Sequence, residues 1–160
     1  MRTLRRYLTL IALMFWLGGF TFYASVVVPV GTAVLKSDLR QGFITRRVTF
    51  YLNLVAATAL VVLFAEVLLT ADPSRRRWVR LGLWGVMAVC QVGLFVGHSY
   101  LDDRLQPKGM LILDPETFRP VHRLYLWTHT VQWGAGLIFI GLMLRAWMKE
   151  DQASTPSIRE

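Results

Sequence analysis

The stretch that decides the fold is VTFYLNLVAATALVVLFAEVLLTA, which runs from Val48 to Ala71. It has 24 residues, and Glu66 is its only charged residue. A helix rises about 1.5 Å per residue and a bilayer core is about 30 Å thick, so about 20 apolar residues suffice to cross a membrane. This stretch therefore predicts a membrane-spanning helix.

Three further apolar stretches carry no charged residue: Tyr7–Leu35, Leu81–Leu101 and Leu124–Leu144. With their amphipathic ends, the four predicted helices cover residues 7–35, 48–71, 78–101 and 121–147. Short connections make consecutive helices reverse direction. The sequence predicts an all-α protein with one membrane domain over residues 1–149, an antiparallel bundle of four transmembrane helices. Residues 150–160 are predicted to form a disordered polar tail.

The ends of the first two predicted helices have features of their own. The basic start at Arg2, Arg5 and Arg6 resembles a signal peptide, but an apolar run of 29 residues is far longer than the usual 7–15 or so. We therefore expect a retained first helix, with a kink near Pro29. The segment Lys36–Arg47 is basic and partly amphipathic, which predicts a segment at the membrane interface that can form a helical extension.

The net charge of +8 does not indicate nucleic-acid binding, because the basic residues lie at the ends of the apolar stretches, where they can meet lipid headgroups. The lipid bilayer is the expected partner. A single cysteine, Cys90, excludes a disulfide framework. Ten Lys and Arg residues lie on the side of the two termini and eight on the other. The compact cluster Arg75–Arg80 strengthens this bias, which predicts a multi-pass protein of the cell (inner) membrane with both termini in the cytoplasm.

No catalytic motif is present: the chain has no glycine-rich phosphate loop, no GxSxG and no HExxH. We therefore predict that the protein is not an enzyme.

Polar residues within the apolar stretches mark the candidate site. Converting residue number into depth places one group of polar side chains in the extracytoplasmic half of the bundle and two amides near mid-membrane. The candidate ligand- or metal-binding residues are His98, His129 and His122. The residues predicted to line a pocket are Ser25, Asn53, Gln91 and Gln132.

Three interpretations of these residues remain open. The polar side chains can simply form hydrogen bonds between helices. The imidazoles of His98 and His129 can instead bind copper or zinc, with His122, Asp102 or Asp103 as a third ligand, or they can occupy both axial positions of a haem. In the third interpretation, the level of Gln91 and Gln132 forms the pathway of a small oligomeric transporter. The sequence favours no cofactor, and it leaves the identity of a bound metal unknown.

Two further features concern packing. Glu66 lies near the cytoplasmic end of its helix, so we expect an ion pair with an arginine of Arg75–Arg80. Gly93 and Gly97 have GxxxG spacing, which permits close helix packing within the bundle or in a homo-oligomer.

Two segments carry a resemblance to a known family: Trp16–Leu35, WLGGFTFYASVVVPVGTAVL, and Phe118–Trp133, FRPVHRLYLWTHTVQW. They resemble the transmembrane protein 205-like family, small four-helix membrane proteins without a settled biochemical activity. The matching positions are Trp16, Gly18, Gly19, Pro29 and His122. The last helix departs from the family pattern, with Thr128-His129-Thr130 and Gln132 in place of an asparagine-bearing segment. The layout is also similar to that of four-helix copper-resistance membrane domains, which implies architecture alone.

Overall fold

The computed structural model describes residues 2–70, 74–106, 109 and 111–153. Four long helices account for most of them: α1 (Arg2–Leu35), α2 (Asp38–Leu69), α3 (Ser74–Asp102) and α4 (Pro115–Gln152). All four are long and apolar enough to cross a membrane. This confirms the predicted all-helical class and points to a multi-pass membrane protein.

Helix α1 is continuous but not uniformly wound. Two of its turns, Met14–Gly18 and Tyr23–Val27, have the wider π-helical winding. The second wide turn ends two residues before Pro29. Proline lacks an amide hydrogen and its ring crowds the carbonyl four residues earlier, here that of Ser25. The wide turn around Ser25 makes room for the ring, so the helix passes Pro29 without ending.

The helices extend beyond the predicted apolar segments. Helix α2 begins at Asp38 rather than near residue 48, because the Ser37 side chain accepts a hydrogen bond from the Arg40 amide (3.3 Å) and caps its first turn. The segment Lys36–Arg47 is thus mostly a helical extension. Asp114 caps α4 in the same way, accepting from the Thr117 amide at 3.3 Å. At the other end α4 continues through residues 150–152, which were predicted to belong to the tail; residues 154–160 lie outside the described residues.

A two-stranded hairpin connects α3 to α4. Strand β1 (Leu105–Gln106) pairs antiparallel with β2 (Leu111–Ile112), so that Leu105 lies opposite Ile112. The Leu113 amide also donates to the Arg104 carbonyl (2.8 Å).

The buried core has two apolar parts. The larger part includes Leu63, Met87 and Phe139, and the smaller part consists of Leu94, Leu101 and Tyr125. All four helices contribute to the larger part, α1 through Leu13, Trp16 and Leu17. Buried polar side chains lie between these parts and at the end of the larger part. We call the end with Glu66 the Glu66 end and the opposite end the Asp102 end.

Candidate functional site

Hydrogen-bonded amides join three helices between the two apolar parts of the core. The Gln132 side chain of α4 donates to the Gln91 side-chain oxygen of α3 (2.9 Å) and to the Met87 carbonyl (3.1 Å). Gln91 in turn donates to the Asn53 carbonyl of α2 (3.1 Å). The Asn53 side chain donates to the Tyr125 hydroxyl (3.1 Å). The structure thus brings together three of the predicted pocket residues, and we call Asn53, Gln91, Gln132 and Tyr125 the amide cluster.

His129 lies beside the amide cluster, in an aromatic environment. Its ring stacks on Phe20 of α1, with centroids 4.9 Å apart, and meets Tyr125 edge-on at 4.8 Å. The residue is only 7% exposed. Among the described residues, neither His129 Nε2 nor Asn53 Oδ1 has a hydrogen-bond partner, although both atoms are buried. Buried polar atoms without a hydrogen-bond partner are uncommon in protein interiors, so these two atoms mark the position beside His129 as a candidate binding site.

His98 and His122 have different surroundings from His129. A ring nitrogen of His98 lies 2.9 Å from the Arg46 carbonyl, and the ring packs against Phe50. His122 is exposed and stacks on Phe118, one turn earlier in α4. Each of the three imidazoles therefore has its own aromatic neighbour.

The expected additional metal ligands are not assembled around these imidazoles. Asp102 forms an ion pair with Arg46. Within the described ranges, no group of three or more His, Cys, Asp or Glu side chains could hold a metal ion.

Ser25 lies apart from the other predicted pocket residues. Its side chain is exposed, and its hydroxyl donates to the Thr21 carbonyl one turn earlier (2.6 Å). Ser25 was predicted from its depth alone, and depth does not show which way a side chain points. In the structure the Ser25 side chain points away from the core. Thr21 instead links α1 to α4, because Trp133 Nε1 donates to its hydroxyl at 3.0 Å.

The two glycines of the GxxxG sequence have different neighbours. A Cβ at Gly97 would lie 3.1 Å from Tyr125 Cδ2, so Gly97 lets α4 approach α3 at the amide cluster. A Cβ at Gly93 would meet no atom within 4 Å. Of these two glycines, Gly97 is therefore the one that packs closely against another helix.

A second polar group lies at the Glu66 end, and the sequence analysis missed most of it. Glu66 is fully buried; it accepts from Trp147 Nε1 (2.6 Å) and from the Thr70 hydroxyl. Arg5 Nε lies 3.0 Å from Glu66 Oε2, and the fully buried Arg80 lies 3.9 Å from Oε1. The expected arginine of Arg75–Arg80 is thus present, but Arg5 of α1 is closer.

Glu150 extends this charged group to the last turns of α4. Its carboxylate lies 2.7 Å from Arg5 and 3.0 Å from Arg6. Arg6 also pairs with Asp151 at 2.8 Å. We call Arg5, Arg6, Glu66, Arg80, Trp147, Glu150 and Asp151 the charge cluster. A sequence signal for it existed, since basic residues open α1 and acidic residues close α4 at the same end.

Comparison of the chain with protein-family models, curated proteins and solved structures gave no match.

Proposed function

We propose that this chain is a non-enzymatic multi-pass membrane protein that binds a small, uncharged polar molecule beside His129. The observation that carries the proposal is the pair of buried atoms without partners, His129 Nε2 and Asn53 Oδ1. Tyr125 contacts both residues, so the side chains of Asn53 and His129 lie beside the same tyrosine. We call Phe20, Asn53, Tyr125 and His129 the His129 site.

The chemistry of the His129 site favours a neutral ligand. The carboxamide oxygen of Asn53 needs a donor, and an imidazole nitrogen can donate or accept according to its tautomer. A charged molecule would lose its hydration between Phe20 and Tyr125 without a counter-charge, which is costly. A small amide or alcohol, with both a donor and an acceptor, fits these requirements.

The proposed architecture is an antiparallel four-helix bundle with both termini in the cytoplasm. The short connections and the contacts of α1 with α4 at the charge cluster support the bundle. The excess of Lys and Arg on the side of the termini supports the orientation. A reporter that is active only in the cytoplasm, fused after residue 160, tests the orientation. An active fusion is expected, and a silent but stable fusion overturns it.

The binding proposal can be tested by NMR on protein labelled with ¹⁵N-histidine in phospholipid nanodiscs, with acetamide as the probe. Acetamide should shift the His129 Nε2 resonance in a saturable manner. His122→Phe, which removes an exposed imidazole, should leave this response unchanged. Asn53→Leu should abolish it, because the ligand loses its acceptor.

Two results would overturn the binding proposal. A His129 resonance that stays unchanged at high acetamide concentration means that the buried atoms are satisfied by water alone. Copper found by elemental analysis, or a haem Soret band in the purified protein, supports the alternative of a metal- or haem-binding redox component. His129→Phe should remove that metal or haem signal if the alternative holds.

A further inference from the structure

An open groove lies at the Asp102 end, where the end of α1 meets the start of α2. Its volume is about 550 Å³. It is lined by four apolar residues and by the side chains of two arginines, and the lining surface is almost entirely apolar: Leu35, Phe43, Ile44, Val48, Arg40 and Arg47. An arginine has an apolar stem and a charged tip, so an apolar groove bordered by two arginines is suited to an amphipathic anion.

The two arginines of this groove are available for binding. Arg40 and Arg47 are exposed, and a separation of seven residues, close to two helical turns, places them on one face of α2. Among the described residues, neither guanidinium has an ion-pair or hydrogen-bond partner. Arg46, between them, is instead committed to Asp102. The groove therefore presents two positive charges without a carboxylate in ion-pair range.

The exposed face of α2 continues below the arginines as an apolar stripe. The residues of the whole exposed face, arginines included, recur at spacings of three and four: Arg40, Ile44, Arg47, Tyr51, Leu54, Thr58 and Val61. The hydroxyl of Thr58 donates to the Leu54 carbonyl (2.9 Å), which leaves little polarity on the stripe. From Arg47 to Val61 the helix rises about 21 Å. That length exceeds half of a bilayer core about 30 Å thick, the depth that one acyl chain reaches.

We propose that this face binds one anionic phospholipid, with its phosphate between Arg40 and Arg47 and an acyl chain along Tyr51, Leu54 and Val61. Guanidinium groups bind phosphate oxygens in a two-pronged geometry, which holds the headgroup in place. The net negative charge of the lipid distinguishes it from zwitterionic lipids, whose ammonium group would lie near the same arginines. The site is separate from the His129 site and does not depend on it.

Native mass spectrometry tests this proposal on the full chain in detergent, with phosphatidylglycerol and phosphatidylcholine supplied in equal amounts. The wild-type protein should retain one phosphatidylglycerol in preference to phosphatidylcholine. Arg40→Gln/Arg47→Gln should reduce this preference about tenfold or more, because each arginine near the headgroup contributes to the attraction. Arg119→Gln/Arg123→Gln is the matched control. It removes the same amount of charge from two exposed positions in the first turns of α4, which also lie near the Asp102 end. This control should keep the wild-type preference.

Several results would overturn the lipid site. One is an Arg40→Gln/Arg47→Gln protein that keeps the preference; another is a control that loses it equally. Displacement of phosphatidylglycerol by excess inorganic phosphate would mean that the arginines bind free phosphate instead. A lipid-free dimer that Arg40→Gln/Arg47→Gln dissociates would assign the groove to a second copy of the chain. If the double variant does not fold, the single variants Arg40→Gln and Arg47→Gln should each lower the preference about threefold.

Discussion

Trp147 Nε1 donates to Glu66 Oε1 at 2.6 Å, which joins the last turns of α4 to α2 through a fully buried carboxylate. The same carboxylate lies 3.0 Å from Arg5 on its other oxygen. One side chain thus contacts groups from three helices. Its removal should affect the stability of the entire Glu66 end.

Glu66→Gln should lower the free energy of unfolding by about 3–5 kcal/mol, because the fully buried Arg80 and the half-buried Arg5 would keep their charges after losing a carboxylate. The measurement is reversible unfolding in mixed micelles with increasing denaturing detergent. The control, Glu116→Gln, removes an exposed carboxylate and should change the value by less than about 0.5 kcal/mol. Equal, small effects of the two variants would contradict a stabilising role for the charge cluster.

The Gln91–Gln132 hydrogen bond should contribute a modest coupling energy. A double-mutant cycle with Gln91→Met and Gln132→Met should give about 0.6 kcal/mol and at most about 1.7 kcal/mol, as for other hydrogen bonds between membrane helices. Unfolding in micelles again provides the measurement. A coupling energy indistinguishable from zero would mean that the two amides do not act on each other.

Gly97→Ala should destabilise the protein, whereas Gly93→Ala should not. The new methyl group at residue 97 would press on Tyr125, with 3.1 Å to Cδ2, and would disturb the hydrogen bond from Asn53. The methyl group at residue 93 meets no atom, and alanine favours the helix by about 1 kcal/mol over glycine. Thermal unfolding of the two variants, compared with wild type, distinguishes them. A lower midpoint for Gly93→Ala than for Gly97→Ala would refute the assignment of Gly97 as the packing glycine.

The cap at Asp114 should be sensitive to acid. Hydrogen bonds from Thr117 hold the pKa of the Asp114 carboxyl below its usual range. Because the folded pKa is depressed, the stabilisation is present above the unfolded pKa of about 3.9 and is lost as the pH falls through the lower folded value. A ¹³C titration of the Asp114 carboxyl should therefore give a midpoint in the folded protein that lies below the unfolded pKa of about 3.9. Thr117→Val should move the midpoint upward, and an unchanged midpoint would exclude the hydroxyl as a cause.

The sequence predicted the number and order of the helices because hydropathy measures the apolar lengths directly. It placed the start of α2 ten residues late, since Arg40 and Arg47 interrupt the apolar pattern without interrupting the backbone hydrogen bonds. Depth counting also put Gln91 and Gln132 at one level, where the structure joins them. Counting residues along each helix can therefore predict a hydrogen bond between two adjacent helices when the two side chains lie at the same depth.

Contacts of α1 were harder to predict. Arg5 and Glu150 are 145 residues apart, and nothing local indicates that they meet. The basic start of the chain has an ordinary explanation in lipid headgroups, which hides its ion pairs. His129 was identified by depth, but its stacking on Phe20 depends on the rotation of α1, which the two wide turns alter. Rotation of a helix about its own axis is the quantity that depth counting lacks.

The charge cluster also has a consequence for biogenesis. Synthesis proceeds from the N-terminus, so Arg5, Arg6, Glu66 and Arg80 all leave the ribosome before Glu150 and Asp151. Until then three arginines face a single carboxylate, and the nascent chain carries uncompensated positive charge beside the membrane. The last two acidic residues of α4 supply the missing charge. Most of the compensating negative charge at this end thus arrives only with the fourth helix, so the last turns of α4 complete the ion pairs of the charge cluster.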